Sequence, residues 1–330
     1  MENQFNQEVV HLYASFDQQR FLFHLASSIL RNRKLLVDHD YWQLPHKVRG
    51  LLFGHHGVNH NLIKGLHSLN VQIKFNARFE DSPQCVGVLA GSQVLRTVLS
   101  FTNHKKIVAG PNFYPDEPSL LQPRVKKYLV PSQWVLNTIQ NPMLAQKTNV
   151  WPVGIDSDYW NPNEFERGKT SSFRTGLIYM KSKSSNSKLL KNSINRIPGV
   201  DWRLVTYGTY RPSDLRRLLA EVDFCIYIGD SESQGIAQFA CWSMNVPTFV
   251  FSSNECIKIK MNTETINLNA SQYSPAPYLS TSTGSQWTEL VDLIDLINLD
   301  LEQSFSPRMW VIENASPIAS AKEYIRILRQ

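Results

Sequence analysis

The chain of 330 residues lacks several features, and each gap removes a class of protein. Its four cysteines, Cys85, Cys225, Cys241 and Cys256, are scattered, with no C-x-x-C pair. Neither a disulfide scaffold nor a cysteine-built zinc site is written into such spacing, and each is read as a small buried apolar residue. No apolar segment approaches the roughly 20 residues that cross a bilayer. The opening stretch, MENQFNQEVVHLY, is polar and acidic and has no signal-peptide core. Together these gaps predict a reduced, cytoplasmic protein. Dense basic runs are missing too. Lys and Arg number 34 against 28 Asp and Glu, a formal net charge of +6. That excess suits an anionic ligand or weak peripheral contact with anionic lipid, but no nucleic-acid partner is expected without a basic cluster. G-x-G-x-x-G and H-E-x-x-H are also absent. His56 and His60 would share a helix face, yet no carboxylate completes a metal motif, so no metal site is expected.

What is present is an ordinary globular composition, 42% hydrophobic and 19% charged, arranged in a rhythm. Apolar runs of strand length at 9–15, 71–75, 85–90, 106–112 and 127–132 alternate with helix-like stretches at 18–33, 58–70 and 92–103, and a short run GLLF (50–53) stops at Gly54. The passage 150–172, VWPVGIDSDYWNPNEFERGKTSS, breaks the rhythm with two Gly and two Pro before it restarts. Strands at 175–180, 201–208, 223–229 and 247–252 then alternate with helices at 186–196, 212–220 and 235–245, and 285–299 and 317–329 read as two further helices. Strands alternating with helices predict parallel sheets wrapped by helices. The expected division is an acceptor-side α/β domain over 1–152, a ligand-binding α/β domain over 153–316, and a C-terminal helix over 317–330 that packs back on the first. Trp134, Trp151, Trp160 and Trp242 are read as packing residues.

The most informative stretch is SESQGIAQFACWSMNVP (231–247). It follows DFCIYIG, a continuous apolar run expected of a strand buried on both faces. Gly235 opens a helix that must stop before Pro247, with Asn245 suited to a left-handed cap and Ser231 and Gln234 in the spacing of a capping box. A helix start at a strand's carboxyl end presents unpaired amides to a phosphate. Glu232 would repel that phosphate, but a carboxylate is a strong acceptor for sugar hydroxyls. The pattern suggests a ligand with both groups, unless Glu232 merely complements the helix N-terminus.

ESQGIAQFACWSMNVP resembles the signature of the retaining GT-B glycosyltransferases of family four, E-S-F-G-[IL]-x-x-x-E-A-M-A-x-G-x-P, with Glu232, Ser233, Gly235, Val246 and Pro247 in register. VPSQWV (130–135) and VWPVGIDSDYWNP (150–162) are similar to the same family's passage between its domains, so the likeness covers roughly 130–316. It implies an α/β fold of two Rossmann-like domains whose parallel sheets face one another across a cleft. It further implies transfer of a sugar from a nucleotide-diphospho-sugar to a hydroxyl acceptor on a glycan, lipid-linked glycan or protein, with retention and without metal or other cofactor. On this resemblance Glu232 holds the donor sugar, and Gly235 and Ile236 offer backbone amides to phosphate. Lys181 and Lys183, after the strand at 175–180, neutralise the diphosphate, and Tyr207 and Gly208 lie near the base. GHHGVNH (54–60) is expected as the first domain's loop, with Gly54 and Gly57 allowing close backbone approach and His55 or His56 contacting the donor sugar or acceptor, His56 as the catalytic candidate. The family's second Glu is replaced by Ala240, which leaves open a non-catalytic nucleotide-sugar or glycan binding module; a nucleotide-sugar epimerase is the other alternative.

Overall fold

The computed structural model describes residues 9–14, 54–75, 85–89, 92–101, 106–111, 117–166, 173–182, 185–253, 255–261, 264–299 and 301–330. The helix expected over 18–33, the GLLF run and Lys183 lie outside them. The chain forms two compact units. One comprises Met1–Gly154, Met261–Thr263 and Ser316–Gln330; the other comprises Ile155–Lys260 and Glu264–Ala315.

The first unit runs β1 (Val9–Tyr13), α1 (Gly54–Ser68), β2 (Gln72–Phe75), β3 (Cys85–Val88), α2 (Ser92–Phe101), β4 (Lys106–Ala109), α3 (Glu117–Leu120), β5 (Val125–Val130), α4 (Gln133–Asn137), α5 (Pro142–Gln146) and β6 (Thr148–Val150). Its strands pair in the order β2-β1-β3-β4-β5-β6, and every described pairing is parallel. The strands are the expected apolar runs: Val86, Val88, Ile107, Val108, Leu129 and Val130 are all buried, as central parallel strands covered on both faces must be. The C-terminal helix (Pro317–Arg329) belongs to this unit and lies against α1.

One expectation is corrected here. GHHGVNH is not a loop: the chain is helical from Gly54. Val58, Leu62, Ile63 and Leu66 are all buried and recur at helical spacing, so packing carries the helix back through Gly57 despite that residue's poor propensity. The side chains of His55 and His56 are outside the described residues.

Helix α5 illustrates how short segments of this unit are fixed. Asn141 Oδ1 accepts from the backbone amides of Met143 (3.0 Å) and Leu144 (3.3 Å), and Pro142 occupies the first helical position. Replacing Asn141 with Ala is expected to cost about 1 kcal/mol. Urea denaturation would read this as a lower midpoint at unchanged slope; an unchanged midpoint would rule the cap out as a stabilising contact.

The second unit continues with β7 (Arg174–Met180), α6 (Ser185–Ile194), β8 (Val200–Thr206), α7 (Pro212–Glu221), β9 (Phe224–Ile228), α8 (Ile236–Ser243), β10 (Thr248–Phe251), β11 (Ile257–Met261), β12 (Glu264–Leu268), β13 (Gly284–Trp287), α9 (Leu290–Asn298), α10 (Leu301–Ser304) and α11 (Pro307–Asn314). The main sheet has the order β13-β10-β9-β7-β8, all parallel, while β11 and β12 pair separately. The single helix expected over 285–299 is in fact β13 followed by α9. GSQW is drawn into the sheet by pairing with β10, and the helix starts only after Glu289, which forms a capping box with Asp292. The Ser231–Gln234 capping box does not form either: the cap of α8 is Gly235, with no side-chain bond. At the far end of α8, Asn245 takes the left-handed conformation, at φ 58°. Phe239 and Trp242 on α8 pack against Tyr278 and Trp310, with ring centroids 5.2–5.8 Å apart.

Candidate functional site

In the second unit the chain runs from β7 to β8 on one side, then returns to β9 on the other. An open parallel sheet splays its loops apart where the order reverses, and ligands in such folds bind outside the carboxyl ends of the strands there. The backbone stitches this point closed: the amides of Lys181 and Ser182, just past β7, both donate to the carbonyl of Ile228 at the end of β9, at 2.8 and 3.1 Å. Tyr207, just past β8, donates its amide to Met180 at 2.8 Å.

Glu232 sits beside this point with only 7% of its surface exposed. Its amide donates to the carbonyl of Ser274 (2.8 Å), which ties the segment before α8 to the 274–276 loop. Its Oε1 accepts from Lys181 Nζ at 2.6 Å and from the phenol of Tyr227. Lys181 also lies over the ring of Tyr207, 5.3 Å from its centroid, a cation–π arrangement on a side chain that is itself 57% exposed. Lys181 therefore sits between a buried carboxylate and an exposed aromatic face.

Tyr227 is held from behind. It is the register partner of Tyr179 on the neighbouring strand, and the two rings stack at 4.9 Å and 10°. The Tyr179 hydroxyl shares a 2.6 Å hydrogen bond with that of Tyr210. Burial, then the negative charge of Glu232, push the Tyr227 phenol well up from its ordinary value. It stays protonated and is a fixed donor to the carboxylate. Burial likewise pushes Tyr210 up to about 12. The three tyrosines form a neutral hydrogen-bonding wall behind one charged pair.

Helix α8 begins four residues after Glu232. Gly235 caps it at φ 79°, a conformation that side chains disfavour. Gln238, fully buried, donates to the carbonyl of Pro275 at 2.8 Å. Ile236, at the first helical position, is 40% exposed. Gly208 also has a positive φ, 82°, with open space where a side chain would be. Ala240 is buried in the core and offers no polar group.

Of the residues singled out in the sequence, Lys181, Glu232 and Tyr207 come together, and Gly208, Gly235 and Ile236 lie within four residues of one or another of them. Gly54 and Gly57 belong to α1 of the first unit. Sequence reading missed Tyr227 and Tyr179. Both lie inside strands read as packing, and the only signal is that a buried tyrosine needs a partner for its hydroxyl. Among the described residues no group of three or more His, Cys, Asp or Glu could hold a metal ion, and no helix is long and apolar enough to cross a membrane.

No protein-family model matches the chain, and no curated protein does. Solved structures do. Sucrose-phosphate synthase from Thermosynechococcus elongatus aligns with TM-score 0.50 and 11% identity over 75% of this chain and 73% of its own. The lipopolysaccharide outer core galactosyltransferase WaaB, in its apo form, aligns with TM-score 0.49 and 11% identity over 97% of this chain and 99% of its own. A chain of the GtfA/B complex aligns with TM-score 0.46 and 10% identity; 74% of this chain is covered, and it spans 57% of that chain's length. At such identities the likeness is one of fold. The chain has the α/β fold of the GT-B glycosyltransferases, with two Rossmann-like units each built on a parallel sheet.

Proposed function

We propose that the protein transfers a sugar from a nucleotide-diphospho-sugar to a hydroxyl acceptor of a glycan, lipid-linked glycan or protein, with retention at the anomeric carbon and without a metal. One observation carries the reading. A buried carboxyl group, Glu232, is bound and oriented by Lys181 and Tyr227 at the switch point of the second sheet, four residues before the start of α8. The carboxylate takes hydroxyls of the donor sugar. The amides at Gly235 and Ile236 and the ammonium of Lys181 take the diphosphate, whose negative charge grows as the glycosidic bond breaks. Lys183 joins them in this reading, and Tyr207 and Gly208 receive the base. The first unit supplies the acceptor side, with His56 among the groups near the reacting atoms, and the protein works in the cytoplasm, in glycan assembly.

A thermal-shift series with UDP-, ADP- and GDP-linked sugars, run in a chelator, tests donor binding directly. A ligand at a hundred times its dissociation constant adds about 2.7 kcal/mol of apparent stability, a shift of several degrees. Tyr207→Ala is expected to weaken the binding of the responding donor by roughly tenfold, as loss of an aromatic platform does. No shift with any activated sugar would sink the reading.

A second reading has its own support. The family's second carboxylate is replaced by Ala240, which is buried against the core rather than turned to a ligand. A binding module that takes the donor without turning it over would bind in the thermal series yet yield no free nucleotide, with or without acceptor.

A further inference from the structure

We infer that the Lys181–Glu232 ion pair makes this site discriminate between an intact diphospho-sugar and the bare nucleoside diphosphate left after transfer, favouring uptake of the first and release of the second. The inference rests on the reading above for its ligand class. Its content is the coupling between two residues.

The two roles proposed for these residues compete. The cation meant for phosphate is already bound to the carboxylate meant for sugar, at 2.6 Å. The partners are not equally free. Glu232 leaves 9% of its side chain exposed and is tied through its amide to Ser274, and Tyr227 donates to it from inside β9. Lys181 leaves 29% exposed, on a long side chain that already reaches the face of Tyr207. When a ligand arrives, Lys181 is the partner that moves.

Lys181 leaves for a phosphate at lower cost when something replaces it on Oε1, because a buried carboxylate that gives up a cation loses part of its compensation. An intact diphospho-sugar brings that replacement, since its sugar hydroxyls donate to Glu232 while its phosphates receive Lys181. A bare diphosphate brings none. It also carries more negative charge on its terminal phosphate near neutral pH and meets Glu232 as a like charge. After transfer, therefore, Lys181 returns to Glu232 and the product is disfavoured. The tyrosine wall matters here: Tyr227 donates a hydroxyl to Glu232 but is no cation, so it does not supply the charge that Lys181 withdraws.

The test is calorimetric titration of the full-length protein with UDP, ADP, GDP, UDP-glucose, ADP-glucose and GDP-mannose, for the wild type, Glu232→Gln, Lys181→Met and the double variant. Gln keeps the shape and removes the charge. The expected result is that E232Q binds the bare diphosphate about tenfold more tightly than the wild type, and the matching diphospho-sugar more weakly. In the K181M background only the like-charge part of that gain in diphosphate binding should remain, so the effect is smaller, the signature of coupling between the two sites. If E232Q does not fold, Glu232→Asp, which withdraws the carboxylate by one methylene, is expected to change both affinities in the same directions by a smaller factor. A wild type that binds these nucleotides, with E232Q or E232D binding the bare diphosphate no tighter, overturns the coupling and leaves the donor-site reading standing. A wild type that binds none of the six overturns the coupling and the donor-site reading together.

Discussion

Gly65→Leu is expected to undock the C-terminal helix from the first unit and to cost at least about 4 kcal/mol of stability. A Cβ at Gly65 would lie 1.9 Å from the carbonyl oxygen of Pro317 and 2.8 Å from Cβ of Ala321, so α1 and the C-terminal helix touch backbone to side at this point. Backbone cannot step aside as a flexible side chain can. The rest of the dock is equally specific. Trp151 Nε1 donates to the carbonyl of Ser320 (3.0 Å), the Ser320 hydroxyl donates to that of Pro152 (2.9 Å), and the Tyr324 ring lies 5.1 Å from that of Trp151. Ala321, Tyr324, Ile325 and Leu328 are buried there and would be returned to water. Denaturant titration would show the lost stability, and limited proteolysis would cut near residue 316 in the variant alone. Lys322→Ala, on the exposed face of the same helix, should stay within about 0.5 kcal/mol of the wild type. If Gly65→Leu melts with the wild type, the close crossing does not hold the helix.

This crossing also shows where sequence reading stops. Strands such as DFCIYIG and TGLIYM are legible because a strand covered on both faces must be apolar throughout, a demand that leaves a visible run. Helix α1 was misread at its start because two glycines and two histidines in GHHG have weak helix propensity. The segment is helical because Val58, Leu62 and Leu66 must be buried, and tertiary packing overrides propensity. Strand β13 was illegible for the opposite reason: GSQW has no apolar run, and only its partner β10 makes it a strand. The capping box at Ser231 does not form because the segment is tied to the 274–276 loop through the Glu232 amide and α8 starts only after the left-handed turn at Gly235. Each of these depends on residues far away in the chain.

The candidate site divides in the same way. Lys181, Tyr207 and Glu232 could be named because each stands just past the end of a strand, and strand ends are readable. That Glu232 would be bound to Lys181 and backed by Tyr227 could not. Residues 181 and 232 lie 51 apart in sequence, and a tyrosine within an apolar strand reads as packing until its hydroxyl is seen to find a carboxylate. The charges were visible, whereas the pairing that decides how they act was set by the strand order.

Glu232→Ala is expected to have two separable effects. It removes the acceptor of the Tyr227 phenol, which burial keeps neutral and which has no bulk water to turn to, and it strands the Lys181 ammonium at the edge of the site. An unsatisfied buried donor costs about 1–3 kcal/mol, so the melting temperature should fall by several degrees, more than for Glu232→Gln, whose carbonyl oxygen still accepts from both. Pairing Glu232→Ala with Tyr227→Phe removes the orphaned hydroxyl and should restore part of that stability, which a general packing defect at 232 would not allow. The chemical loss should not be restored. On the proposed function, removing the carboxylate from the donor sugar should lower transfer by 100- to 1000-fold in kcat/KM, the scale of losing one well-placed charged contact to a transition state. Folding and activity thus answer different questions: partial rescue of the melt by Tyr227→Phe tests the pairing, and transfer that stays low in the rescued double variant tests the role of the carboxylate. Activity that returned with stability would mean that Glu232 serves only to hold the strand end together, and the hydroxyl-binding role would fall.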